Sequence, residues 1–114
     1  MSLKASSREH NGVTVLDLTG RIVQGEGSQI LRQALADLLS RGRKNILLNL
    51  TDVHYIDSSG LGAIVGGYTS VKSQQGQLKL LNLTAKVHDL LQITKLLTVF
   101  EVYEDESTAV KSFS

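Results

Sequence analysis

The chain has 114 residues, 41% hydrophobic and 20% charged, which is enough for one domain around one core and too little for two. It contains no cysteine, so disulfides, thiolate zinc sites and cysteine nucleophiles are excluded. The formal net charge is +1, with acids and bases interspersed and only three Tyr and two Phe, so neither a nucleic-acid footprint nor a base-stacking platform is built.

No apolar run reaches the length of a membrane span, and Met1 to His10 lacks the apolar centre of a secretory signal. A cytoplasmic protein without a membrane span is therefore expected. Leu3 to Glu9 and Val13 to Thr19 read as two strands joined at His10-Asn11-Gly12, since Asn-Gly tolerates the positive φ of a tight hairpin. The apolar alternation of the second strand is imperfect. Gly20 to Gly27 reads as a polar, glycine-punctuated connection. Ile30, Leu31, Ala34, Leu35, Leu38 and Leu39 mark one face of an amphipathic helix, with Ser28 as its cap and Gly42 as its stop. Arg41, Arg43 and Lys44 fall at the C-terminus of that helix, where cations suit the dipole.

Asn45 to Leu50 reads as a strand with an apolar centre, and Leu61, Ile64, Val65, Tyr68 and Val71 recur at helical spacing after it. This helix is expected from about Ser59 to Gln74, with Gly66 and Gly67 packed closely on the sheet. Leu78 to Leu83 is the next strand, and Thr84 caps a short helix carrying Val87, Leu90 and Leu91. Val99 to Tyr103 forms a final edge strand, and Ser107 opens a last helix docked through Ala109, Val110 and Phe113. The expected fold is α/β: a single domain over 1–114 with a mixed β-sheet, an N-terminal hairpin and four helices packed on the sheet.

The stretch Asp57-Ser58-Ser59-Gly60-Leu61-Gly62 places two hydroxyls where the buried strand turns into a helix. Ser58 or Ser59 stands near the N-cap, where a side-chain oxygen satisfies an unpaired N–H. Gly60 and Gly62 keep the first turn bare, so another backbone or a partner can come close. Asp57 is expected to organise the turn around the serines, and Asp52 to hold loop amides.

Enzyme chemistries fit poorly. Ile56-Asp57-Ser58-Ser59-Gly60 lacks the first glycine of a hydrolase elbow, and His10, His54 and His88 have no metal-ligand spacing. Gly60-x-Gly62 followed by Gly66 comes within one residue of a dinucleotide fingerprint, but no acidic residue closes the next strand near Leu83. No phosphate loop of the Gly-x-x-x-x-Gly-Lys type exists either. No cofactor, no metal and no catalytic residue are expected. A protein-recognition surface fits better, because phosphate on an exposed hydroxyl at a helix N-terminus adds about −1.5 to −2 charges where a partner must pack. The helix dipole tolerates that charge, so the fold survives while binding weakens.

The hexapeptide Asp57 to Gly62, with Leu48-Asn49-Leu50 leading to it, resembles the signature of the STAS family, specifically its small anti-sigma-factor antagonists. Element order, length and motif position are also similar across nearly the whole chain. The resemblance implies that Ser58 is the phosphoacceptor. It implies a partner serine kinase that doubles as an anti-sigma factor, binds the unphosphorylated antagonist and releases the sigma factor, and a serine phosphatase that reverses the mark. Partner contact is then expected at Glu26, Asp57, Ser58, Ser59, Gly60, Gly62 and Ala63. The connection Val23 to Gly27 is more glycine-rich than the family pattern and borders this surface, which bears on which kinase is recognised. Two other readings are carried: a non-switching STAS subunit of a transporter or stress-signalling complex, separable by neighbouring genes, and a small nucleotide-binding protein, separable by binding of a labelled nucleotide.

Overall fold

A computed structural model describes residues 3–114. The elements in chain order are β1 (Lys4–His10), β2 (Val13–Ile22), α1 (Glu26–Ser40), β3 (Asn45–Ile56), α2 (Ser58–Ser73), β4 (Gln77–Leu81), α3 (Ala85–Ile93), β5 (Val102–Tyr103) and α4 (Glu106–Lys111). Asn11 and Gly12 both take positive φ, 50° and 84°, so the hairpin turn matches the twist of its strands. The sheet runs β1-β2-β3-β4-β5, with β1 antiparallel to β2 and every other neighbouring pair parallel. The mixed sheet, the hairpin and the four helices are those expected.

Both faces of the central strands are covered, which explains the imperfect alternation. Leu16, Leu18, Ile46, Leu48, Leu78 and Leu80 meet α1, α2 and α3, whereas Val13, Val15, Leu47 and Leu81 lie under Ala109 and Val110 of α4 and Phe113 just after it. A strand buried on two sides reads as a near-continuous apolar run. Each fully buried Leu or Ile in these clusters contributes ~1.5–3 kcal/mol. Lys79 is the exception in the middle of β4, its side chain only 5% exposed. Its ammonium donates to the Ser112 carbonyl and hydroxyl at 2.9 Å each, lies 3.2 Å from Glu101 and stands 4.7 Å from the centre of the Phe113 ring. A buried cation so fully partnered fastens the end of α4 to the sheet.

The edges of the sheet differ in kind. β1 exposes Lys4, Ser6, Ser7, Arg8 and Glu9, and β5 is two residues long, not the Val99 to Tyr103 strand expected. Other boundaries move for local reasons. β2 and β3 continue past Thr19 and Leu50, pairing Arg21 with Tyr55 and Ile22 with Ile56 after two register shifts. β4 stops at Leu81 because Asn82 turns left-handed at φ 59°. α1 begins at Glu26 behind Gly25 at φ 90°, so Ser28 lies inside the first turn and is not the cap. α4 begins at Glu106, one residue before Ser107, because the Asp105 carboxylate accepts the Thr108 N–H at 2.9 Å. Gly67 packs on α1 more than on the sheet: a Cβ there would collide with Cδ1 of Leu35 and lie 3.8 Å from Leu78.

Candidate functional site

The C-terminal ends of β2 and β3 and the starts of α1 and α2 converge around Asp57. Its backbone is extended (φ −113°, ψ −175°), which makes it the N-cap of α2. One carboxylate oxygen accepts the Gly60 N–H at 2.9 Å and the other accepts the Gln24 N–H at 2.9 Å. These bonds, that from Gln24 foremost, hold the Asp57 pKa below its ordinary value. A single side chain therefore closes the first turn of α2 and ties down the β2–α1 connection.

The capping role expected of Ser58 or Ser59 thus belongs to Asp57. Ser59 is half-buried, and its hydroxyl donates to Ser28 Oγ at 3.2 Å, which joins the starts of α1 and α2. Ser58, the first residue of α2, is exposed. Among the described residues no side chain hydrogen-bonds its hydroxyl.

The residues expected at a partner surface divide. Glu26, Ser58 and Gly62 are exposed, and Asp57 and Ser59 are half-buried. Gly60 and Ala63 are buried and cannot meet a partner directly. Gly60 is glycine for an internal reason: a Cβ would collide with the Ile22 carbonyl oxygen and lie 2.8 Å from its carbon. The same carbonyl accepts the Asp57 N–H at 3.3 Å, so the start of α2 rests on the end of β2. Asp52, expected to hold loop amides, is an exposed strand residue opposite Thr19. His54 is also exposed on β3.

Sequence reasoning passed over Gln24, whose backbone N–H has no side-chain signature, and Arg32. The guanidinium of Arg32 reaches from α1 across α2: its two terminal nitrogens lie 3.6 Å from where Cβ atoms on Gly62 and Gly66 would stand. Its position four residues after Ser28, on the same helical row, was the available signal. No group of three His, Cys, Asp or Glu residues that could hold a metal occurs among the described residues. No helix among them is long and apolar enough to cross a membrane.

Comparison with known proteins bears on the family and the fold. The chain is 27% identical over 110 residues to the anti-sigma F factor antagonist of Paenibacillus polymyxa, covering 96% of this chain and 94% of that protein. It is 31% identical over 102 residues to the anti-sigma-B factor antagonist of Bacillus subtilis (strain 168), covering 90% and 92%. Its fold is that of the Bacillus cell fate determinant SpoIIAA, solved in the phosphorylated form, with a TM-score of 0.76 at 18% identity over 97% of this chain and 100% of that one. The family model of the STAS domain matches residues 4–109, and the chain belongs to that family.

Proposed function

We propose that this protein is an anti-sigma-factor antagonist switched by phosphorylation of Ser58. The observation that carries the reading is an exposed, unpartnered hydroxyl on the first residue of α2, held in place by the Asp57 cap. The names of the relatives, both anti-sigma factor antagonists, support the partner class. In the unphosphorylated state the surface of Ser58, Gly62 and Glu26 packs against a serine kinase that is also an anti-sigma factor, and the sigma factor is released. Ser58 Oγ then attacks the γ-phosphorus of the kinase's ATP. The bond to the β-phosphate oxygen breaks, ADP departs, and the hydroxyl proton passes to a base of the kinase. The new charge stands beside Asp57 at a surface that was closely packed, and repulsion with desolvation weakens the complex. A serine phosphatase hydrolyses the ester and restores binding. The protein itself is a binding module rather than an enzyme, and it acts in the cytoplasm.

The test is a binding and phosphorylation assay with the cognate kinase. Ser58→Ala is expected to bind with undiminished affinity and accept no phosphate, and Ser58→Asp to bind at least tenfold more weakly. Gly62→Glu is expected to lose binding while remaining folded. Phosphate mapped to Ser59, or none transferred by an active cognate kinase, overturns the assignment.

A further inference from the structure

We infer that Arg32 is the intrachain receiver of the phosphate on Ser58, a charge clamp from α1 that engages only the modified protein. The inference rests on the reading of Ser58 as phosphoacceptor, and what carries it is the placement of one guanidinium. Among the described residues the other arginines are occupied. Arg8 pairs with Asp17 and Glu106, Arg41 with Asp37 and Arg43 with Glu9, while Arg21 lies over the ring of Tyr55. Arg32 has neither a carboxylate nor an aromatic partner there. It lies flat on α2 instead, one terminal nitrogen over Gly62 and the other over Gly66, each 3.6 Å from an ideal Cβ position.

Gly62 and Gly66 follow Ser58 at intervals of four, so the three residues share one row of the helix. The guanidinium therefore lies along the row that begins at the acceptor hydroxyl, with Nη2, the nitrogen beside Gly62, toward the Ser58 end. One helical turn, about 6 Å of rise, separates Gly62 from Ser58. Rotation about the outer torsions of Arg32 covers that span, because no side chain at either glycine stands in the way. Arg32 is exposed and also lines a groove of about 570 Å³ between the two helices, so open space adjoins its side chain. A phosphate on Ser58 offers oxygens that a guanidinium meets in bidentate fashion. Nothing comparable draws Arg32 toward the unmodified hydroxyl. Phosphorylation therefore does two things at once: it adds charge at Ser58 and it draws Arg32 off the Gly62–Gly66 furrow, altering the shape a partner meets.

The test introduces phosphoserine at position 58 by genetic encoding, so that no kinase is required. The 31P signal of the phosphate is followed through its second ionisation, which lies near pH 6 for a free phosphoserine. Asp57 and Glu26, the carboxylates at the starts of the two helices, are present in every protein compared. Against phosphorylated wild type, Arg32→Gln is expected to raise the midpoint by about 0.5 unit, a threefold change in proton affinity. Arg32→Lys should fall between them. Gly62→Leu, which fills the furrow without removing the charge, should shift the Arg32 Nε–H NMR signal of the unmodified protein. In wild type that same signal should move on phosphorylation. Coincident 31P midpoints in wild type and Arg32→Gln, with an Arg32 signal indifferent to phosphate, overturn the clamp while leaving the kinase reading intact. Failure of a cognate kinase to modify Ser58 overturns the switch and does not alter these spectra.

Discussion

Replacing Gly60 by Ala adds one methyl group at the point where the start of α2 rests on the end of β2. In an open helix the change is favourable, because Ala exceeds Gly in helix propensity by ~1 kcal/mol. At Gly60 the added carbon collides with the Ile22 carbonyl oxygen and stands 2.8 Å from the carbonyl carbon, and a strand backbone cannot swing aside as a side-chain tip can. Overpacking of this kind costs ~1–3 kcal/mol or somewhat more. The displaced helix start also strains the Asp57 N–H bond to Ile22, worth ~1 kcal/mol. The net expectation is a loss of ~2 kcal/mol. Gly66→Ala provides the control within the same helix: its Cβ would lie 3.6 Å from the mobile end of Arg32, an ordinary contact, so the propensity gain of ~0.5–1 kcal/mol survives. Urea unfolding monitored by circular dichroism separates the two. With an m-value of ~1–1.5 kcal/mol/M, their midpoints should lie about 2 M apart, on opposite sides of wild type. A Gly60→Ala protein as stable as Gly66→Ala would falsify the claim that Gly60 exists for close backbone approach.

Asp57→Ala should cost ~1–2 kcal/mol through loss of the cap and should free the Gln24 amide to exchange with solvent, measurable by NMR. Because the folded-state pKa of Asp57 lies below the ordinary 3.8, its ionisation stabilises the fold above that value and the contribution fades as pH falls through the lowered pKa. The variant should therefore lose less stability than wild type on acidification. Glu106, lowered to about 2 chiefly by Arg8 and then by His10, anchors α4 to the hairpin. Its stabilisation is full above 4.5 and disappears between 4.5 and about 2, so Glu106→Gln should speed amide exchange in α4 at pH 7 and make little difference at pH 2. Equal exchange at pH 7 would show that the Arg8 contact carries no weight.

Where sequence and structure coincide, a periodic signal has a periodic cause. The Ile30-to-Leu39 stripe, the Asn45-to-Leu50 run and the Asn-Gly turn each encode their own environment within a few residues. The element order followed from them, and so did the exposure of Ser58. What escaped was set by partners distant in the chain. The reason for Gly60 lies in Ile22, and Gly67 answers to Leu35, so neither glycine declares locally whether its bareness serves a visitor or a neighbour. Asp57 took the cap from the serines because it alone reaches Gly60 and Gln24 together, a fact of tertiary geometry. The polar residues of Thr51 to Tyr55 hid the continuation of β3, since exposed strand residues carry no apolar alternation. The approach of Arg32 to Gly62 and Gly66 likewise joins residues far apart in the chain.

The unequal edges of the sheet also decide how this protein avoids unwanted company. A chain seeking to extend the sheet needs a long, uncharged row of free backbone groups. At the β1 margin it meets Lys4, Arg8 and Glu9, and at the β5 margin it finds two residues, Val102 and Tyr103, before the chain turns into α4. Strand addition is thus discouraged at both ends of the sheet, the route by which β-rich chains aggregate. That protection leaves the loops and helix starts as the places where association is rewarded. The switch proposed for Ser58 would gain from it, because recognition then stays confined to the surface where α1 and α2 begin.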